Sequence, residues 1–150
     1  TWSVIKHMYP KAEVPVVQIS LDYSKKPQYH YNLMKELASL RKRGVLIVGS
    51  GNMVHNLGKI AWDKIDEVGF GYDWAVEMHQ LFKSKITDNN HQALINYSSL
   101  SKSALLAVPT PDHYFPLMYI LGLQQKNEKA EFFNDKLVAG SINMTSVKFG

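Results

Sequence analysis

The sequence predicts an α/β fold in which a mostly parallel central sheet is flanked by helices, and three stretches predict it. Val14 to Leu21 (VPVVQISL) is rich in β-branched residues and bounded by turn-formers, the mark of a buried strand. From Gln28 to Arg43 the apolar residues Tyr31, Leu33, Met34, Leu37 and Leu40 recur at helical spacing, and Gly44 supplies the stop. Val45 to Val48 (VLIV) is a continuous apolar run too short for a helix, which suits a central strand covered on both faces. Strand, helix and strand in succession make one βαβ unit with a parallel pair.

The remaining elements follow in order. Trp2, Val4, Ile5 and Met8 form an apolar helix end, entered at once from Thr1 without an initiator Met. This entry is read as one piece of a larger single domain, with Met removal before a small residue as the alternative. Gly49-Ser50-Gly51-Asn52 is a flexible turn, and Met53 to Trp62 has helical character. Helices are expected over Asp73 to Ile86 and His91 to Tyr97. Another is expected from Pro111 to Gln125, with Thr110 as its cap and Pro111 at its first position. Glu131 to Phe133 and Leu137 to Phe149 alternate well enough to be one or two strands that end the sheet.

Composition narrows the chemistry. With 150 residues, 45% hydrophobic and 20% charged, the chain suits one compact core. No apolar run approaches the roughly 20 residues of a membrane span, so a soluble, cytoplasmic protein is expected. Cysteine is absent, which excludes disulfides, thiolate catalysis and cysteine-held metals. Any metal must be held by His, Asp or Glu. The net charge of +4 is scattered, and the tight cluster Arg41-Lys42-Arg43 reads as the solvated end of a helix, so no nucleic-acid partner is expected.

Six histidines then compete for a role. His30, His79 and His91 fall inside or at the start of helices and are expected to be solvated or capping, while His7 on the entry helix carries no information. His55 differs because it follows a strand and a glycine-rich turn (GSGNMVHN), where loops at the carboxyl edge of a sheet converge on a ligand. Gly49 and Gly51 have the G-x-G spacing of a dinucleotide fingerprint, but Val54 stands where its third glycine belongs. His113, in TPDHYFPLMY, lies at a helix start, where the dipole favours the neutral ring that ligates metal. A non-haem iron site needs about three protein ligands. Asp112 and Glu131 are conceivable thirds, although neither has a spacing to His55 that selects it.

Four blocks, MYPKAEVPVVQISLD, VLIVGSGNMVHNL, PTPDHYFPLMYILG and GSINMTSVKFG, resemble in this order the C-terminal half of the DOPA-dioxygenase type of extradiol ring-cleaving enzymes. The resemblance implies that residues 1–150 are the C-terminal portion of a catalytic domain. It implies iron(II) as the cofactor, with zinc possible in crystals, and a catechol and O2 as substrates. His113 matches that family's C-terminal metal-site histidine. His55 matches the pocket histidine that is counted as a ligand or acts as acid and base. Asn52 and Tyr114 are expected to line the substrate pocket. The family's first metal-binding histidines lie in an HGSP-like and an S-A-H-W-like segment, neither of which is present here, so the partner implied is the missing N-terminal half. Two other readings remain open: a non-catalytic binding member of the same superfamily, and a metal-dependent hydrolase using the same two histidines.

Overall fold

The computed structural model describes residues 2–150. Six helices precede four short strands: α1 (Trp2–Met8), α2 (Pro27–Leu37), α3 (Asp73–Thr87), α4 (His91–Ile95), α5 (Ala104–Ala107) and α6 (Phe115–Leu123), then β1 (Ala130–Phe133), β2 (Leu137–Val138), β3 (Ile142–Asn143) and β4 (Ser146–Phe149). The fold is a mixture of helix and strand, as expected, but its sheets are small and antiparallel. β1 pairs with β4 from Ala130 opposite Phe149 to Phe133 opposite Ser146, and β2 pairs with β3.

The mostly parallel central sheet is therefore not formed among the described residues. Residues 14–21 and 45–48 carry no strand assignment, and Val16, Val17, Ile19, Leu46 and Val48 are exposed. The physical reason is that an apolar β-run reports the environment its side chains suit, while a strand also needs a neighbouring backbone to pair with its N–H and C=O groups.

The core is built by α3, α4, α5 and α6. Ala75, Met78, Phe82 and Ile86 line one face of α3 at three- and four-residue spacing and are buried against Leu94, Ala107, Tyr114 and Met118. Helix α6 is buried nearly all round, and Tyr119 and Leu123 meet Met34 of α2 on its other side. A helix hydrophobic on every face belongs in the middle of a domain, not on its skin.

Several expected boundaries move for identifiable reasons. Helix α2 stops at Leu37, and the remainder to Arg43 tightens into a 3-10 turn that ends at Gly44, whose φ of 77° is the left-handed geometry of a helix stop. The helix expected over Met53 to Trp62 is replaced by two short 3-10 turns, Leu57–Lys59 and Trp62–Lys64. Its backbone donors are engaged elsewhere: His55 N bonds Ala107 O, Asn56 N bonds Ser141 O and Ala61 N bonds Ala139 O. Helix α6 starts at Phe115, with Pro111 to Tyr114 as a turn before it, and Pro116 falls in its first positions, where no N–H is needed. The C-terminal stretch forms four strands rather than one or two.

Arg41, expected to be solvated, instead ties the end of the α2 region to the start of the strands. Its guanidinium bonds both carboxylate oxygens of Glu128, at 2.6 and 2.8 Å, and Leu123 O at 2.7 Å. The Arg41 bond holds the Glu128 carboxyl below its ordinary value of 4.5. A carboxylate whose folded value is depressed stabilises the fold fully above its unfolded value and loses that contribution as pH falls through the folded one. Replacing Glu128 with Gln should therefore lower stability at neutral pH by about 1–2 kcal/mol. In urea unfolding, the gap from wild type should narrow below about pH 4.5, the ordinary value for this group, and close in stronger acid.

Candidate active site

The site begins with a close approach of two backbones. A Cβ on Gly51 would run into the carbonyl of His113, and one on Gly49 would come to 2.8 Å from Pro116 O and Ile120 Cγ1. Glycine at both positions lets the 49–52 turn lie against the start of α6. Asn52 N then reaches His113 O at 2.9 Å. Three residues further on, His55 bridges to Ile142 of β3.

This geometry brings the two sequence-predicted histidines together, with ring centroids 5.1 Å apart and planes at 47°. Their surroundings differ. His55 is 4% exposed, and its Nδ1 and Nε2 lie 3.0 Å from Asn52 O and 2.9 Å from Thr110 O. Burial pushes its pKa down, with the neighbouring His113 acting in the same direction, while the Thr110 and Asn52 carbonyls pull it up. His113 keeps 47% of its side chain exposed, with Nε2 at 3.4 Å from Asp112 Oδ2. The Thr110 hydroxyl donates to Asp112 and is the largest cause holding that carboxyl below its ordinary range.

The other expected site residues fall in different places. Tyr114 is a correction: it is fully buried, packs between Phe82 and Tyr97, and its hydroxyl donates to Leu94 O at 2.8 Å. It is part of the core because the turn before α6 points successive residues to opposite sides, His113 outward and Tyr114 inward. Asn52 is half-buried beside His55, with its side-chain amide donating to Asn143 O at 2.7 Å. Glu131 lies on β1 with its carboxylate bonded to Lys148 of β4 at the surface.

The three histidines expected to be solvated or capping are also corrected, since each ring bonds side chains within the fold. His30 is fully buried between α2 and α6, with Nδ1 2.9 Å from the Tyr119 hydroxyl. His91 bridges the Tyr31 hydroxyl and Gln124 Oε1, and His79 contacts Asn143 and Asp135. Each lies on the inward face of its helix, and the short polar tip of an imidazole lets it do so once a partner is present. Asn143 went unnoticed in the sequence, although a lone Asn flanked by Ile142 and Met144 in GSINMTSV was the available signal.

The family model described as the catalytic LigB subunit of aromatic ring-opening dioxygenase matches residues 2–150. The chain belongs to this family. It is 35% identical to a 4,5-DOPA dioxygenase extradiol of Escherichia coli (strain K12), over 100% of this chain and 55% of that protein. Against the 4,5-DOPA dioxygenase extradiol of Beta vulgaris the identity is 30%, over 99% of this chain and 54% of that one. The crystal structure of an uncharacterized protein from Escherichia coli K12 superposes with a TM-score of 0.90 at 36% identity, covering 99% of this chain and 61% of that chain. The chain thus spans about half the length of the curated relatives it matches.

Whether a LigB-family metal fits these residues can be judged from the donors. Among the described residues no group of three His, Cys, Asp or Glu side chains is placed to hold an ion. His113 is half exposed with Nε2 beside Asp112, whereas both nitrogens of His55 face carbonyls. The residues fit a metal as part of a ligand set, with His113 as the accessible donor.

Two substitutions test this layout. Tyr114→Phe should cost about 1 kcal/mol through loss of the bond to Leu94 O and leave ligand affinity unchanged. Gly51→Ala should cost more, about 1–3 kcal/mol, because the added carbon meets the His113 carbonyl. Chemical denaturation of both variants gives the ranking, and the reverse order would refute it.

Proposed function

We propose that this chain carries the C-terminal half of the active site of a non-haem, metal-dependent extradiol dioxygenase that opens the ring of a DOPA-like catechol with O2. The observation that carries the proposal is the pairing of His55 and His113 at 5.1 Å, one buried and one open, from two turns far apart along the chain. Family membership and the 4,5-DOPA dioxygenase relatives support the reaction class.

A bound iron(II), or zinc as an inactive occupant, would supply Lewis acidity toward the two catechol oxygens, and iron also a route for electrons to dioxygen. The residues of the chain do the rest. His113 offers an imidazole at the open side of the site. His55, shut off from water and with its basicity lowered by burial, takes the proton of a substrate hydroxyl and returns it later in the reaction. Asp112 stands beside His113, where its negative charge favours a cation. Asn52 closes the inner wall.

The remaining ligands come, in this reading, from the other half of the family's length. The same companion would pair with residues 14–21 and 45–48, whose exposed apolar side chains suit burial under further strands.

The test joins the chain with that other half, in one polypeptide or by co-expression, and adds iron(II) and a catechol. Oxygen uptake with a yellow ring-opened product is expected. His113→Ala should lower iron affinity at least about tenfold. His55→Ala should keep the iron and lose about 10²–10⁴-fold in kcat. Iron loading without oxygen uptake would reject the dioxygenase, and ester turnover without oxygen would favour a hydrolase.

A further inference from the structure

The peptide of Asn52 touches both histidines: its N–H donates to His113 O at 2.9 Å, and its carbonyl lies 3.0 Å from His55 Nδ1. We infer that Asn52 and Asn143 form a positioning unit that keeps the proton of the neutral His55 ring on Nδ1, leaving Nε2 as the nitrogen that exchanges protons with substrate. This rests on the acid and base role given to His55 above.

A neutral imidazole has one N–H, yet His55 faces two carbonyls, Asn52 O and Thr110 O, at nearly equal distance. The proton goes to the carbonyl that is held, and the other partner yields. Apart from that carbonyl, Asn52 is held at two points, its N–H on His113 O and its side-chain amide on Asn143 O at 2.7 Å. Asn143 is itself fixed: it has no exposed surface, and each of its polar groups is bonded. Its N–H donates to Val54 O at 2.9 Å, and its Oδ1 accepts from Thr145 N at 2.7 Å. That second bond sets the amide orientation, so Nδ2 is the group that faces His79 Nδ1 at 2.6 Å. His79 in turn presents Nε2 to Asp135, a carboxylate also bonded to Lys83 and Thr145.

Thr110, by contrast, sits exposed on a bend between α5 and α6, and its hydroxyl goes to Asp112. A satisfied buried network resists rearrangement, whereas Thr110, on a bend flanked by Pro109 and Pro111, is engaged among the described residues, apart from its carbonyl, only through its hydroxyl, to the carboxylate of Asp112. Withdrawal of Thr110 O would free Nε2 on the side of the ring away from Asn52. Asn52 and Asn143 are thus positioning residues that act through the His55 ring, and the polar wall expected of Asn52 is a secondary role.

Long-range proton–nitrogen correlation spectra of the 15N-labelled chain, taken where the His55 ring is neutral, should show Nδ1 protonated and Nε2 bare. Asn52→Leu removes the donor to Asn143 O at similar volume and adds no charge beside His55. It should shift the tautomer ratio toward Nε2–H by about tenfold, the worth of one hydrogen bond. Asn52→Ala should shift it in the same direction, and the His79 signals should keep their wild-type pattern in both variants. A wild-type ring protonated on Nε2 would overturn the assignment, as would an unchanged ratio in both variants. If neither variant folds, the wild-type spectrum alone decides the tautomer. Oxygen uptake does not enter the measurement. A failed dioxygenase reading therefore leaves the tautomer result standing, and a bare Nδ1 leaves the dioxygenase reading standing.

Discussion

The close contact of the Gly49–Asn52 turn with the start of α6 is the constraint on which the site depends. Any Cβ at Gly51 would occupy the space of the His113 carbonyl. With that space open, Asn52 N–H reaches the carbonyl, and the two histidines are fixed as neighbours by backbone atoms instead of by long side chains. A peptide-to-peptide bond has few soft torsions, so the ring separation inherits the rigidity of the core beneath it. Tyr114 supplies that core from the adjacent position, tied to Leu94.

The same contact explains the irregular chain that follows. Residues 52–61 lend backbone donors to α5, to the segment before β3 and to the turn before α6, and so cannot make a helix of their own. Irregular backbone is tolerated in a buried place only when each donor finds a partner. Here the partners come from sequence regions up to the C-terminal strands. β3 contributes most, since it bridges His55 through Ile142 and holds Val54 and Asn52 through Asn143. A two-residue strand would be a minor feature elsewhere. Here it is the rear wall of the candidate site.

How much of this was legible in the sequence depends on the range of the interaction that decides each element. Helix α3 was legible nearly to the residue, because its apolar spacing and its own hydrogen bonds are local. That His55 and His113 come close together was legible from the glycine turn and the helix start that carry them. The inward burial of Tyr114, His30 and His79 was not, since alternation about a turn or a helix face leaves the sign of the face to the tertiary partner. The Met53 to Trp62 segment misled for the same reason: its apolar periodicity is real, but its backbone is satisfied by residues far along the chain. The Arg41–Glu128 pair shows the converse, a cation expected to be solvated that joins the 3-10 turn after α2 to the segment before β1.

The exposed apolar runs bear on the proposed half-site more directly than their lack of partners first suggests. Residues 45–48 lead straight into Gly49, so whatever pairs with that run lies at the doorstep of the turn that carries Asn52 and His55. Val48, exposed at the last position of the run, is one residue from the glycine pressed against Pro116. In the proposed assembly, covering this run and supplying the further metal ligands are then one event. A companion that buries Leu46 and Val48 in a parallel sheet would bring its own loops to the carboxyl end of the run, where ligands of open α/β sheets collect. A site divided in this way has its open imidazole, His113, on the side still to be covered and its enclosed imidazole, His55, on the side already folded. That division matches a metal ligand awaiting its partners and a proton carrier held ready by its own chain.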